Sequence, residues 1–221
     1  MSEFAGLQGT RAWARLPLAL SAVLVLIFIP TLLLSPEGAL NWLLEVGPGL
    51  AAMVALAVTY RRMPMTHLVY ALVFIHILIL VYGGFYTYAK APLGEWAKQA
   101  FGFHRNNYDK VGHFAFGFFP AVVVREVLLR ATPLQRGGWL SFLVISVIMG
   151  AAATYELFEW GAAVVLDPAG GDRFLGTQGD VWDAQSDMAL AGVGAIVSLV
   201  LMRGLHERAL TRLKQALQPR N

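Results

Sequence analysis

The sequence predicts an all-α fold, a polytopic membrane bundle of about six transmembrane helices. Hydrophobic residues make up 57% of its 221 residues and charged residues only 14%, whereas soluble domains average roughly 45–50% and about 25%. Residues 63–89 carry no charged side chain over 27 positions, more than the ~20 residues that cross a hydrocarbon core of ~30 Å. The chain has no cysteine, which excludes disulfide scaffolds, thiolate metal sites and cysteine nucleophiles.

Stretches without charge mark the spans in order along the chain. The first lies between Arg15 and Glu37, and its apolar core is longer than that of a signal peptide. In the second, Gly47-Pro48-Gly49 is expected to kink or break the helix. The predicted spans form a single domain and cover residues 16–34, 39–60, 64–88, 109–130, 139–166 and 183–203.

A short amphipathic segment follows the third span. Leu93, Trp96 and Phe101 recur there at helical spacing, with Glu95 and Lys98 between them. This pattern predicts an interfacial helix near residues 93–103 that lies flat on the membrane surface. Such a helix either anchors the bundle or admits lipid laterally towards a site.

The distribution of Lys and Arg predicts the orientation of the chain. With a cytoplasmic N-terminus, 12 of the 17 basic residues and only three of the 14 carboxylates fall on the cytoplasmic side. Basic residues near the ends of spans favour the cytoplasm, so we expect both termini to be cytoplasmic. The basic residues are then expected to contact anionic lipid head groups.

Acidic residues recur at one depth on three of the predicted spans. Asp109 and His113 are four residues apart at the start of the fourth span, and Glu156 and Glu159 are three apart in the fifth. Both spacings keep the side chains on one helix face. A third run, at the start of the sixth span, comprises Asp180, Asp183 and Asp187. At ~1.5 Å per residue, the three helices are expected to present these groups together near the outer surface.

Such a cluster needs a positive charge. An acidic residue at the centre of a membrane helix costs ~2.5–3.5 kcal/mol, and crowded carboxylates repel one another. Lys110 and Arg173 are the only basic groups that we expect nearby. A bound divalent cation is the simplest further counter-charge, and oxygen ligands with one histidine suit Mg²⁺, Mn²⁺ or Ca²⁺, with Zn²⁺ as another option. Alternatively, the aspartates cap helices and His113 is a hydrogen-bonded interior residue.

The predicted roles of individual residues follow from this chemistry. Glu156, Glu159 and His113 are the candidate catalytic residues, because a buried carboxylate outside the coordination shell can act as general base. The candidate metal ligands are Asp109, His113, Glu159, Asp180, Asp183 and Asp187. The candidate substrate-binding residues are Thr177, Gln178, Lys110 and Arg173. The glycine-rich loop at residues 170–179 is either a mobile cover over this site or an ordinary connection.

Other polar residues lie outside the predicted site. Arg125 and Glu126 are about 18 Å from His113 along the fourth span, and we expect them to pair with neighbours or head groups. Three further histidines have no partner at ligand spacing and are interpreted as structural: His67, His76 and His206.

No motif for a nucleotide or flavin cofactor is present. The chain lacks a phosphate-binding glycine-rich loop, G-x-S-x-G and H-E-x-x-H. It also lacks a basic stripe with interleaved aromatic residues, which argues against binding to nucleic acid.

Four segments resemble the YjdF-like inner-membrane proteins of bacteria. They are residues 106–114, Arg125-Glu126, residues 155–160 and residues 174–188, the last of which contains T-Q-G-D-V-W-D-A-Q-S-D-M. The resemblance implies a multi-pass protein of the bacterial inner (cell) membrane and no particular reaction. Asp109, Lys110 and His113, followed by later acidic helix starts, are more distantly similar to the VanZ-like membrane proteins.

Three functions are compatible with these features. We favour a metal-dependent hydrolase or phosphotransferase that acts on an outward-facing lipid or lipid-linked headgroup. The alternatives are a cation or proton transporter that uses the intramembrane carboxylates, and a structural or assembly protein of the membrane. Against a transporter, the sequence is expected to place acidic groups in only one half of the membrane.

Overall fold

The computed structural model describes residues 12–166 and 177–218, which form eight α-helices and no β-strand. The helices are α1 (Arg15–Leu33), α2 (Ala39–Thr59), α3 (His67–Tyr86), α4 (Pro92–Phe101), α5 (Tyr108–Ala131), α6 (Gly138–Leu166), α7 (Asp183–Leu201) and α8 (Arg203–Leu217). A 3₁₀ turn, Tyr88–Lys90, lies between α3 and α4. The all-α prediction is confirmed.

Six of these helices run between the two ends of the bundle. Five of the described helices, α1, α2, α3, α6 and α7, are long and apolar enough to cross a membrane. The sixth, α5, has 24 residues and runs antiparallel to α3. At its start the hydroxyl of Tyr108 donates to the carbonyl of Ile79 at 3.1 Å, and near its end Glu126 accepts from the amide of Thr66 at 2.9 Å. The sequence predicts about six transmembrane helices, and five of the described helices qualify by length and hydropathy.

The two ends of the bundle differ in charge. We call one end the acidic face; it carries residues 34–38, 87–107 and 177–183. The other, the basic face, carries residues 60–66 and 132–137 together with α8. Exposed arginines at the basic face include Arg61, Arg62 and Arg136.

Helix α2 continues through Gly47-Pro48-Gly49 as one helix, so the break that this segment suggests is absent. A Cβ atom on Gly49 would lie 3.2 Å from Cγ1 of Ile77, and one on Gly84 would lie 2.7 Å from Cγ2 of Val46. Glycine at these positions lets α2 and α3 pack closely, as small residues commonly do between membrane helices.

Helices α5 and α7 are in direct backbone contact, and both begin at the acidic face. A Cβ atom on Gly117 would lie 1.9 Å from the carbonyl oxygen of Ala191, and one on Gly194 would lie 2.2 Å from that of Phe114. No side chain larger than hydrogen fits at either position. This contact holds the acidic residues of α5 and α7 at the same level.

The short helix predicted near residues 93–103 is α4. Gly94 is its buried residue, and the side chain of Asn106 is packed against it, since a Cβ atom on Gly94 would lie 1.7 Å from Asn106 Oδ1. Leu93, Trp96 and Phe101 are 58–66% exposed, so α4 presents an apolar surface away from the bundle.

Helix α8 is docked on the basic face by a buried polar network. The Nη1 atom of Arg125 lies 2.7 Å from Nδ1 of His206, and Nε2 of His206 lies 3.0 Å from Oε2 of Glu126. Because a guanidinium can only donate, His206 accepts through Nδ1 and donates through Nε2. Glu126 also accepts from the hydroxyl of Thr66 at 2.7 Å and from Arg130 at 2.8 Å. This is the pairing with neighbours that the sequence predicts for Arg125 and Glu126.

Candidate functional site

Three helices bring four of the predicted site residues together at the acidic face. The Nε2 atom of His113 lies 3.5 Å from Oδ1 of Asp109, one turn earlier in α5. The same nitrogen lies 3.6 Å from Oε1 of Glu156 in α6 and 3.9 Å from Oδ2 of Asp187 in α7. His113 is therefore the centre of a cluster of carboxylates from α5, α6 and α7.

The spacing of these atoms suits a metal ion. Two overlapping groups, Asp109–His113–Asp187 and His113–Glu156–Glu159, each offer three ligand atoms that lie within 4.8 Å of one another. Ligands at ~2.0–2.6 Å from an ion are separated by at most about 5 Å. Either group could thus hold one ion after small rotations of its side chains.

Two oxygens of the cluster lack hydrogen bonds. Glu156 Oε1 and Asp187 Oδ1 are buried and have no hydrogen-bond partner among the described residues. Lys110 Nζ lies 3.1 Å from Asp187 Oδ1 and forms an ion pair with it. Buried polar atoms are normally satisfied, and Glu156 Oε1 is therefore positioned for a partner that the described residues do not supply.

A small cavity of about 30 Å³ adjoins the cluster. Its apolar lining includes Leu80 and Phe116, and its polar lining consists of Tyr88, Asp109, His113, Tyr155 and Glu159. A cavity of this size accommodates about one water molecule or one ion. Because Glu159 and His113 line the same cavity, Glu159 lies beside the His113 cluster.

The predicted ligands Asp180 and Asp183 lie in a different environment. Asp183 Oδ1 accepts from Arg105 Nη1 at 2.5 Å and from Lys110 Nζ at 2.8 Å. Asp180 lies 3.5 Å from Arg105 and 4.0 Å from Lys110. The expectation that Lys110 and Arg173 are the only nearby basic groups is therefore wrong, because Arg105 also contacts these aspartates. Ion pairs with lysine or arginine account for Asp180 and Asp183. Of the carboxylates around His113, Asp187 alone has such a pair among the described residues, with Lys110 at 3.1 Å.

The predicted substrate-binding residues are placed as follows. Lys110 lies among Asp183, Asp187 and Ser186. Gln178 accepts from the amide of Asn106 at 3.0 Å and donates to its carbonyl at 2.9 Å, so it fastens the segment before α7 to the segment before α5. The carbonyl of Thr177 accepts from the amide of Asp180 at 2.9 Å. Arg173, with residues 170–176 of the glycine-rich loop, lies outside the described residues.

Glu45 is a site neighbour that the sequence analysis did not assign. Its Oε1 accepts from the hydroxyl of Thr87 at 3.2 Å and lies 3.5 Å from Nδ2 of Asn41. It is close enough to Asp109 and Glu159 for their charges to interact. The sequence does mark Glu45 as unusual, because it is the single charged residue of the second predicted span. No spacing rule, however, connects Glu45 to the residues of α5.

Tyr88 is the second site residue that was not predicted. It is inserted between Gly83 and Gly112, where Cβ atoms would lie 2.5 Å and 2.8 Å from its ring. The preceding Thr87 has φ 61°, which is rare for a β-branched residue and directs the ring inwards. Burial, reinforced by nearby Glu45, raises the pKa of Tyr88 well above its usual range, so the phenol stays protonated and can donate a hydrogen bond into the cavity.

The comparisons with known proteins agree with this architecture. The sequence pattern of a family described as "Predicted membrane protein (DUF2238)" matches residues 16–208. The "Inner membrane protein YjdF" of Escherichia coli (strain K12) is 44% identical over 194 residues, which are 88% of this chain and 91% of that protein. No solved structure matches.

Proposed function

The chain belongs to the DUF2238 family of membrane proteins, and we propose that this multi-pass inner-membrane protein is a metal-dependent hydrolase or transferase. Its substrate would be a lipid or a lipid-linked headgroup. The observation that carries the proposal is the arrangement around His113, where three carboxylate oxygens lie within 3.9 Å of one imidazole nitrogen. Two buried oxygens of this cluster have no hydrogen-bond partner among the residues described.

The donor set favours a divalent cation that accepts both nitrogen and oxygen ligands. His113, Asp109 and Asp187 supply one imidazole and two carboxylates from α5 and α7. Mn²⁺ and Zn²⁺ suit such a mixed set, and Mg²⁺ and Ca²⁺ suit its oxygens. The ion would add counter-charge to the His113 cluster, where Lys110, which contacts both Asp183 and Asp187, is the one described lysine or arginine in contact with a carboxylate.

The positions of Glu156 and Glu159 suit a general base. They lie one helical turn apart in α6, and Glu159 lines the cavity beside His113. In the proposed reaction Glu159 takes a proton from water, the water oxygen attacks the phosphoryl or carbonyl centre, and the ester bond to the leaving oxygen breaks. The leaving oxygen then takes up the proton. A bound cation would polarise the oxygen of the centre that is attacked.

Apolar side chains surround the site on the lipid side. On α6, Leu157 is 65% and Trp160 is 61% exposed, directly beside Glu156 and Glu159. Val181 and Trp182 are also exposed, next to the start of α7. A substrate that carries an acyl or prenyl chain could approach the site through this surface. With both termini in the cytoplasm, as the basic face favours, the site faces outwards.

The reaction is tested in proteoliposomes that contain phosphatidylethanolamine, phosphatidylglycerol and a polyprenyl diphosphate. Each lipid is incubated with Mn²⁺ or Zn²⁺, and the products are followed by mass spectrometry. We expect metal-dependent loss of a headgroup or phosphate with the wild type and with Glu95→Gln, which changes a carboxylate whose recorded contacts are with Lys98 and Gln99 on its own helix, α4. Glu159→Gln should abolish the product. Equal product from Glu159→Gln, or product that persists in a chelator, would contradict the proposal.

A cation or proton transporter is the second candidate, and one observation favours it. The basic half of the bundle also holds buried polar groups, Glu126 and His206, and His76 lies buried within α3. His76 Nε2 has no hydrogen-bond partner in the described part of the chain. Uptake of Mn²⁺ or acidification in the same proteoliposomes, without any change in the lipids, would support this function instead.

A further inference from the structure

We propose that an apolar groove between α1, α2 and α3 binds one acyl chain of an anionic phospholipid from the leaflet at the basic face. The groove is separate from the His113 cluster, which is at the acidic face. The inference therefore does not depend on the metal or on the reaction proposed above.

The shape of the groove fits a single chain. It has a volume of about 200 Å³. One wall extends from Ala14, the residue before α1, to Leu24, and the wall on α3 extends from Tyr70 to Ile77. At ~1.5 Å per residue the longer wall measures ~15 Å, which is half of a hydrocarbon core of ~30 Å. The groove thus has the depth of one leaflet.

The groove is lined mainly by apolar side chains, which suit a hydrocarbon chain. Leu18, Leu56, Val73 and Phe74 are typical of its lining, and Ser21, Tyr60 and Tyr70 provide its polar side chains. It exists because α1 packs mainly on α3 and leaves a gap beside α2. Protein interiors seldom leave volumes of this size empty, and the bilayer supplies flexible chains that can fill it.

The mouth of the groove carries positive charge. Arg15 follows Ala14, and Arg61 and Arg62 follow Tyr60, so three arginines adjoin residues that line the groove; all three are exposed.

The carboxylates described at the basic face do not neutralise this charge. They are Glu126 and Glu207, and each is already paired with arginines of α5 or of the α5–α6 loop. Trp13 and Tyr60 lie at the same end, where aromatic side chains mark the membrane interface. The combination favours a lipid with an anionic headgroup, held by arginines, over a zwitterionic lipid.

The test uses the full-length protein, purified in detergent and stripped of lipid, with phosphatidylglycerol and phosphatidylcholine as probes. Bound lipids are counted by native mass spectrometry across a titration. We expect one tightly held phosphatidylglycerol and weaker binding of phosphatidylcholine. Arg61→Gln combined with Arg62→Gln should reduce that preference.

The groove itself is tested by Ala57→Trp, which fills it, against Val58→Trp, which adds the same side chain at a position that is 75% exposed. Ala57 lines the groove. We expect Ala57→Trp to bind phosphatidylglycerol at least about tenfold more weakly, since exclusion of two methylene groups suffices for that loss, and Val58→Trp to bind as the wild type does. Matching melting temperatures of the two variants would show that both fold.

Three results would overturn the inference. The first is equal binding of phosphatidylglycerol to the Ala57→Trp and Val58→Trp variants. The second is no preference for phosphatidylglycerol over phosphatidylcholine in the wild type. The third is a wild-type dimer that Ala57→Trp converts to a monomer, because the groove would then be occupied by a second copy of the chain.

Discussion

The Nε2 atom of His113 lies 3.6 Å from Oε1 of Glu156, a buried oxygen for which the described residues provide no hydrogen-bond partner. These two atoms belong to different helices, α5 and α6, and they face each other where Asp109 and Asp187 also converge. The polypeptide has thus placed an unsatisfied acceptor beside a histidine in an apolar bundle. In this respect Glu156 differs from the neighbouring Asp183, whose carboxylate accepts hydrogen bonds from Arg105 and Lys110.

Gly117→Ala should destabilise the protein, because the new methyl group would lie 1.9 Å from the carbonyl oxygen of Ala191 and would push α5 away from α7. Overpacking of this kind costs about 1–3 kcal/mol. Thermal unfolding in detergent measures the effect. The matched control is Gly150→Ala in α6, where a Cβ atom meets nothing within 4 Å and the better helix propensity of alanine should stabilise by about 0.5–1 kcal/mol. Similar melting temperatures for the two variants would contradict the close contact of α5 and α7.

Asp183→Asn should lower stability and leave metal binding intact. Arg105 and Lys110 would both lose their nearest carboxylate oxygen in a site where the Asp183 side chain is only 8% exposed, and breaking a buried pair costs about 3–5 kcal/mol. Metal content and melting temperature are measured on the same preparation. Loss of metal in this variant, with unchanged stability, would instead make Asp183 a ligand, as the sequence predicts.

His206→Ala should release α8 from the basic face. The change leaves Glu126 without the donor at 3.0 Å and Arg125 without the acceptor at 2.7 Å, and unsatisfied buried groups cost about 1–3 kcal/mol each. Limited trypsin digestion should then cut at Arg208 and Arg212 faster than in the wild type. Leu205→Ala, which changes an exposed neighbour on the same helix, serves as the control. Unchanged digestion of His206→Ala would show that the network does not hold α8.

The contribution of Glu207 to stability should depend on pH. Hydrogen bonds from Arg136, supported by Arg125, lower the pKa of Glu207 from 4.5 to about 2. A carboxylate with a depressed pKa stabilises the fold fully above its unfolded pKa of ~4.3, and this stabilisation disappears as the pH falls through its folded pKa. The difference in unfolding free energy between wild type and Glu207→Gln should therefore be constant from pH 5 to 8 and should shrink below about pH 4. A difference that is as large at pH 3 as at pH 7 would contradict this assignment.

Local pattern predicts much of this fold and part of its site. The helices follow from long runs of apolar residues, and the pairing of Asp109 with His113 follows from a spacing of four on one helix. The positions of Glu156, Asp187 and His113 within their apolar spans put them at the same depth in the membrane, and this common depth predicts that they converge.

What sequence could not predict depends on contacts between distant segments. Arg105 reaches Asp183 from the loop before α5, 78 residues away, and no periodicity marks a loop residue for such a contact. The network of Glu126 and His206 spans 80 residues and orders a helix, α8, beyond the last predicted span. Glu45 joins the site through Thr87, whose positive φ cannot be read from its residue type.

The metal content of the purified protein shows whether the His113 cluster binds a metal ion. Four proteins are compared: the wild type, Asp187→Asn, His113→Gln and the control Glu95→Gln. Each is equilibrated with Mn²⁺ or Zn²⁺, freed of excess ion and analysed by inductively coupled plasma mass spectrometry. We expect about one ion per chain in the wild type and in the control, as for one coordination site. We expect a strong loss of metal in the other two variants. Absence of metal from all four preparations, or equal metal in all four, would contradict a metal site at His113.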